Sequence, residues 1–388
     1  MYNIILKDIP AVRDNLLPLT FTRPVADIRM GILTNRGRWE IMLPGVYSYI
    51  TPDYLTKKYP TISRDDNNII IASHIFPTPG LVKAISELNP DEALAYDQDI
   101  IARRGPLESK PKKIIQVDEI PSGIHNLYDI FIHNSVALEF DFYLLTNGRT
   151  SQPIPQSNIV IGDKSKIFIE KGATVEGATL NTTHGPIYIG ENAEIMEGSC
   201  VRGSFALCEH SEVKMGAKIY GATTIGPHCK VGGELANVVF IGYSNKAHDG
   251  FLGNSVIGEW CNIAAGSVAS NLKNDYTEIK LWNYPLRRFL RTSLQFCGMI
   301  MGDHSKTGIN TMINTATVLG VGVNIHGAGY PRNFVPSFME GSTSGLYETP
   351  ISKFLDTARR VMARRSVTLS QVDEEMFETL YHITDDYK

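Results

Sequence analysis

The chain has 388 residues, with 37 Lys and Arg against 41 Asp and Glu and a formal net charge of -4. That balance carries no basic footprint for nucleic acid, and no apolar run reaches the roughly 18 residues that would span a bilayer. Its length predicts two or three domains.

The first residues, Tyr2 to Leu6, form a short apolar run that predicts a buried strand. The start lacks the charged segment and cleavage site of a secretory signal, so a cytoplasmic protein is expected. Residues 67–73 predict a second buried strand. Pro79 to Leu88 place apolar residues at helical spacing, and Ala93–Tyr96 and Ile114–Val117 are further strand candidates. Strands alternating with helices predict a small α/β domain over 1–150, ending near Asn147-Gly148-Arg149.

From residue 151 to about 345 a different period takes over. Every sixth residue from Ile189 is aliphatic: Ile195, Val201, Leu207, Val213, Ile219, Ile225 and Val231. Four residues after these positions stand Ala193, Ser199, Phe205, Ser211, Ala217, Thr223 and Cys229, small in every case but Phe205. A helix repeats every 3.6 residues and a strand every two, so a period of six predicts a hexapeptide β-helix. Three such faces make one triangular coil, with the aliphatic residue pointing into the prism. Ile257, Ile263 and Ala269 continue the register, as do Met301, Thr307, Ile313, Leu319 and Ile325; Ile161, Ile167 and Ala173 begin it in another phase. Residues 177–188, 233–256 and 270–298 break it and are expected to form wide coils or protruding loops. Cys200, Cys208, Cys229, Cys261 and Cys297 all lie in this region without a CxxC pair, which predicts free thiols packed as small apolar groups.

The tail, 346–388, predicts two helices. Ile351, Phe354, Leu355, Ala358 and Val361 make an apolar stripe after Pro350, and Leu369, Val372, Met376, Phe377 and Leu380 make another. Arg359, Arg360, Arg364 and Arg365 crowd the end of the first helix, where cations suit its dipole or could hold an anionic ligand.

One stretch carries a chemical motif. His248, Phe251, Leu252, Gly253, Ile257, Gly258, Asn262, Ile263, Ala265, Gly266 and Asn271 have the residue types and spacing of an acetyltransferase segment. The segment resembles that of the bifunctional GlmU family. In that family a sugar-phosphate nucleotidyltransferase domain precedes a left-handed β-helix that acetylates an amino-sugar phosphate. Gly302 and the run Lys306-Thr307-Gly308-Ile309-Asn310 resemble the next coil. The resemblance implies a homotrimeric transferase of cell-envelope polysaccharide biosynthesis, using acetyl-CoA and a sugar phosphate or nucleotide sugar. It implies His248 as general base, since an imidazole titrating near neutrality can take the amine proton. It implies Phe251, Asn262, Asn271 and Lys280 as substrate contacts, and Ala265, Gly302 and Asp303 as contacts to the cofactor. Phe251 replaces the family's Tyr, and Asp303 its Ser. Glu209 and Asn237 stand where the family has cations for the sugar phosphate, which points to a different acceptor or a decayed site.

The N-terminal stretch Leu17-Pro18-Leu19-Thr20-Phe21-Thr22-Arg23-Pro24 resembles the segment after the nucleotide loop of sugar nucleotidyltransferases. Val25 stands in place of the family's lysine, and residues 7–15 contain no glycine where the family has a phosphate-cradling glycine loop. Arg13, Arg23 and Asp27 are the remaining candidates for nucleotide contact, with Mg2+ required if the domain transfers nucleotides. Weak or absent activity is expected there. Two other readings compete: a binding or scaffolding trimer that has lost its chemistry, and a histidine-metal enzyme of the γ-carbonic-anhydrase type built on His184, His210, His228, His248, His304 and His326.

Overall fold

A computed structural model describes residues 2–64 and 67–388. The chain divides into two compact units, Met1–Ile28 with Leu33–Asn126, and Arg29–Ile32 with Leu127–Lys388.

In the first unit the expected apolar runs become strands. Strand β1 (Tyr2–Lys7) is flanked by β2 (Gly45–Ile50) and β3 (Asn68–Ala72), both parallel to it; β4 (Glu92–Tyr96), β5 (Asp99–Arg104) and β6 (Lys113–Gln116) complete a mixed sheet in the order β2-β1-β3-β5-β4-β6. β5 runs antiparallel to both β3 and β4. Helices α1 (Pro10–Asn15), α2 (Asn35–Met42) and α3 (Pro79–Ser86) connect them. Ile4, Leu6, Ile69 and Ile71 are fully buried on the sheet, where they meet Trp39 of α2 and Ile85 of α3. Strand β2 and helix α2 escaped the sequence reading because Gly45-Val46-Tyr47-Ser48-Tyr49 alternates poorly and α2 has a weak apolar face.

The second unit is a parallel β-solenoid preceded by helices α4 (Asp129–Ile132) and α5 (Asn134–Thr146) and followed by α6 (Ile351–Ala363) and α7 (Gln371–Ile383). Its strands stack in long parallel ladders. The six-residue count is visible as columns of inward side chains. One column runs Ile169, Ile189, Leu207, Ile225, Phe240, Ile257, Met301, Leu319 and Val335, each paired with the next. A second runs Val175, Ile195, Val213, Val231 and Lys246, with Thr307 and Ile325 further on. The apolar members form one continuous core. All five cysteines are free thiols; four are buried and Cys200 is exposed.

Two of the expected breaks are not loops. Residues 177–188 supply wall strands Thr179–Asn181 and Ile187–Ile189. Residues 233–256 hold the strand Glu234–Gly242 and most of Phe251–Glu259, neighbours paired along their length. These coils advance from Ile225 to Phe240 and from Phe240 to Ile257 rather than by a uniform eighteen, so a strict count of six slides off them. Only 270–298 leaves the wall, as an antiparallel hairpin of Lys280–Asn283 and Arg288–Arg291. The first coil also starts in a different phase: Ile161 is 44% exposed, and Ile169 takes the inward place beneath Ile189.

The tail docks on the solenoid through aromatic contacts. Phe354 and Phe377 sit edge-on to His304 at 5.6 and 5.2 Å. Ser370 caps α7 through a reciprocal box with Asp373, and Arg359 ties α6 to Glu374 of α7 at 2.9 Å.

Candidate functional site

A cavity of about 710 Å³ opens on the solenoid beside the docked tail, lined by residues that include His248, Asn262 and Ala265. The local fold explains why these three meet. Asn245 and Asn262 are partners on successive coils, and the four residues Ala247 to Gly250 turn the chain before the strand Phe251–Glu259 begins. Gly250 has φ +126°, and a Cβ there would lie 2.0 Å from the Ser267 carbonyl oxygen, so the turn needs glycine. His248 and Asn262 are exposed on the outer side.

The same cavity contains residues that periodicity did not single out. Trp260 and Tyr243 form part of its wall, stacked at 4.2 Å and 19°. Lys230, Lys306, Arg364 and Arg365 bring four cationic side chains to it. Lys230 is paired with Glu212 at 2.6 Å. Lys306 donates to the His304 carbonyl at 2.7 Å, and burial pushes its pKa down. Arg365 donates to Asn245 Oδ1 at 2.8 Å, which brings the end of α6 to the coil that precedes His248. A cavity with several cations and an aromatic wall suits a polyanionic ligand that carries an apolar or aromatic portion.

Trp260 and Tyr243 belong to a ring ladder. His210, His228, Tyr243, Trp260 and His304 occupy equivalent corners of successive coils, all with φ between 52° and 61°. Their rings stack nearly parallel, at 4.9 Å for His210 on His228 and 4.6 Å for His228 on Tyr243. The corner demands a left-handed backbone, and ring stacking offsets part of its cost. Stacked imidazoles do not converge on a point, and among the described residues no group of three or more His, Cys, Asp or Glu is placed to hold a metal ion.

The other expected contacts lie elsewhere. Phe251 and Asn271 both lie over Gly253, where a Cβ would be 2.6 Å from each. Asn271 Nδ2 donates to Asn254 Oδ1 at 2.7 Å. Lys280 faces a separate hollow beside the hairpin with Lys273, Trp282 and Arg332. Gly302 and Asp303 serve the stacking of coils. A Cβ on Gly302 would meet the Gly320 backbone at 2.7 Å, and Asp303, 4% exposed, accepts from the Glu259 amide at 2.8 Å. The cavity residues from that coil are instead Lys306 and Ile309.

In the first unit, Arg13, Arg23 and Asp27 are committed to the protein itself. Arg13 is buried; its Nη2 donates to the Thr20 carbonyl at 2.7 Å and to the Tyr54 hydroxyl at 2.6 Å. Arg23, 3% exposed, donates to the Leu19 carbonyl at 3.1 Å. Asp27 accepts the Tyr49 hydroxyl at 2.7 Å. Asp8, at the end of β1, accepts from the Val25 amide at 3.0 Å and from Ser73 at 2.8 Å. Burial pushes its carboxyl up to about 6, against the pull of those bonds and of Arg13. Mg2+ prefers carboxylates and waters in open octahedral geometry. Asp8 accepts these bonds through Oδ1, and Asp27 accepts the Tyr49 hydroxyl, so both carboxylates already hold partners within the protein.

Known proteins resemble both units. Residues 4–150 match the family described as sugar nucleotidyl transferase. A bifunctional sugar-1-phosphate nucleotidylyltransferase/acetyltransferase of Sulfurisphaera tokodaii is 28% identical over 276 residues, covering 70% of this chain and 64% of that protein. The bifunctional protein GlmU of Trichormus variabilis is 27% identical over 199 residues, covering 47% of this chain and 40% of its own. The chain therefore spans less than two thirds of either relative. Among solved structures, the UDP-N-acetylglucosamine acyltransferase of Campylobacter jejuni aligns with 60% of this chain and 91% of its own, at 15% identity and a TM-score of 0.32. Fold and similarity together define a two-part chain, an α/β unit of sugar-nucleotidyltransferase type followed by a hexapeptide solenoid. The chain is similar to the bifunctional nucleotidylyltransferase/acetyltransferases, GlmU among them.

Proposed function

We propose that the solenoid transfers an acetyl group from acetyl-CoA to the amine of an amino-sugar phosphate or nucleotide-linked amino sugar. One observation carries this reading: a single cavity gathers His248, Asn262 and Ala265 with Trp260 and four cationic side chains. Acetyl-CoA supplies the activated acyl carbon and is polyanionic. Lys306, Arg364 and Arg365 are the groups placed to hold its phosphates, and the Trp260 region offers it an apolar wall. His248 takes the proton from the attacking amine as the C–N bond forms; that proton leaves with the sulfur when the C–S bond breaks. Asn262 offers an amide donor and acceptor for the sugar.

Phe251 and Asn271, over Gly253, line a face that a neighbouring copy would bring to the cavity in a homotrimer. That assembly is part of the proposal. The α/β unit is proposed to transfer nucleotides weakly or not at all, because Arg13 and Arg23 are buried and already donate hydrogen bonds within the protein.

The test is thioester consumption with a panel of amino-sugar phosphates and nucleotide-linked amino sugars. His248→Ala should lower turnover by roughly two to four orders of magnitude, the usual contribution of a placed general base. A rate within a factor of a few would remove His248 from the chemistry. Absence of any binding of acetyl-CoA to the unaltered protein would favour the scaffolding reading.

A further inference from the structure

Inside the prism, one coil puts a charged side chain into the column that Val213 and Val231 occupy. Lys246 pairs with Val231 in the parallel ladder and follows Asn245, the partner of Asn262. It therefore occupies the inward position that Val213, Val231 and Ile263 hold in their own coils. Lys246 is 1% exposed. An aliphatic residue there would add to the core at no electrostatic cost, whereas a buried ammonium must be desolvated and then satisfied. Its Nζ donates to the His248 carbonyl at 2.6 Å and to the Gly232 carbonyl of the preceding coil at 3.3 Å.

The coil does not need this lysine in order to stack. The backbone bond from Gly232 to Lys246 has the same form as the bond from Lys214 to Val231 one coil earlier, and Val231 is the inward residue there. What differs in this coil is the turn that follows, Ala247 to Gly250, which carries His248 outward into the cavity.

We propose that Lys246 is a positioning residue for His248: from inside the prism its ammonium grips the His248 carbonyl and sets the direction in which the imidazole enters the cavity. The inference rests on the acetyl-transfer reading, because it matters only if His248 does chemistry. Asp249 is the charged neighbour within the turn and acts on the same ammonium. Lys246 touches neither cofactor nor sugar; it acts through the backbone of the residue that does.

Two variants of the full chain test it. Lys246→Met keeps the length and fills the apolar column. Lys246→Gln keeps a neutral donor with shorter reach. In Lys246→Met, kcat should fall by about tenfold to a hundredfold, the penalty for a base displaced by about an ångström. KM for acetyl-CoA should stay within about threefold, since the cavity's cations are untouched. Lys246→Gln should recover part of the lost kcat. Hydrogen exchange of the 247–250 amides, read by mass spectrometry, should be at least about tenfold faster in Lys246→Met than in the unaltered protein. If the unaltered protein is active and Lys246→Met matches its kcat within threefold, the positioning role is refuted while the acetyl-transfer reading stands. If kcat and KM shift together with the cavity's own affinity, Lys246 merely supports the fold and the proposal fails. If the unaltered protein transfers no acetyl group to any acceptor, the acetyl-transfer reading falls and takes the proposal with it. Should Lys246→Met fail to fold, Lys246→Gln carries the same kinetic comparison.

Discussion

Replacing Lys246 by methionine should change how stability depends on pH, and the magnitude follows from the structure. Burial pushes the Lys246 amine down from 10.5 to about 8. Between those values the unfolded chain holds a proton that the folded chain does not, so stability rises with pH across the window from about 8 to about 10.5. One pKa unit is worth 1.36 kcal/mol, so the buried charge costs about 3 kcal/mol at pH 7 and nothing above 10.5. Methionine removes that cost but orphans the His248 and Gly232 carbonyls, at about 1–3 kcal/mol each. The two effects nearly cancel at pH 7, and Lys246→Met should be close to neutral there. By pH 10 the lysine is uncharged and still donates, so the variant should be less stable by about 2–3 kcal/mol. Urea denaturation of both proteins at pH 7, 8, 9 and 10 measures the difference, with thiols kept reduced. Other titrating groups are common to both chains and drop out of the subtraction. A difference that stays flat from pH 7 to 10 would refute the reasoning, for it would mean that the amine titrates in the folded chain as it does in the unfolded one.

Other outcomes follow from the same geometry. Arg365→Ala frees the end of α6 from Asn245 and removes one cation from the cavity. Acetyl-CoA should bind roughly five- to thirtyfold more weakly, since a charge-assisted hydrogen bond is worth about 1–2 kcal/mol, and equilibrium dialysis at two salt concentrations would show it. The protein should sediment at three times the 43.0 kDa chain mass; a monomer at micromolar concentration would separate Phe251 and Asn271 from the cavity. The α/β unit should release no robust pyrophosphate from nucleoside triphosphates with hexose 1-phosphates. Robust release would mean that residues other than Arg13 and Arg23 hold the phosphates.

How much of this was legible in the sequence differs by element. The solenoid was legible because its core is one-dimensional. Each inward residue stacks on the same position one coil away, so Ile189, Leu207 and Ile225 declare themselves by spacing alone. The first unit's β1 and β3 were legible as short apolar runs because Ile4-Ile5-Leu6 and Ile69-Ile70-Ile71 are buried without a polar residue between them. The motif around His248 could be read because its residue types and spacing, from His248 through Gly253 to Asn271, resemble a family segment.

The sequence by itself therefore determined that the chain carries a repeated triangular coil, where its register holds, and which histidine stands at its most distinctive turn. Tertiary structure alone decided which of the motif's residues meet. His248, Asn262 and Ala265 face one cavity, whereas Phe251 and Asn271 lie over Gly253 and Asp303 is buried behind a corner, because adjacent residues on a coil point to different sides of the prism. It also decided that Arg13 and Arg23, which look free in a one-dimensional reading, are buried and donate to groups of the protein itself. And it turned Lys246 inward: in coils of unequal length a count of six loses phase, and only the pairing of Val231 with Lys246 shows that a charge stands in the aliphatic column.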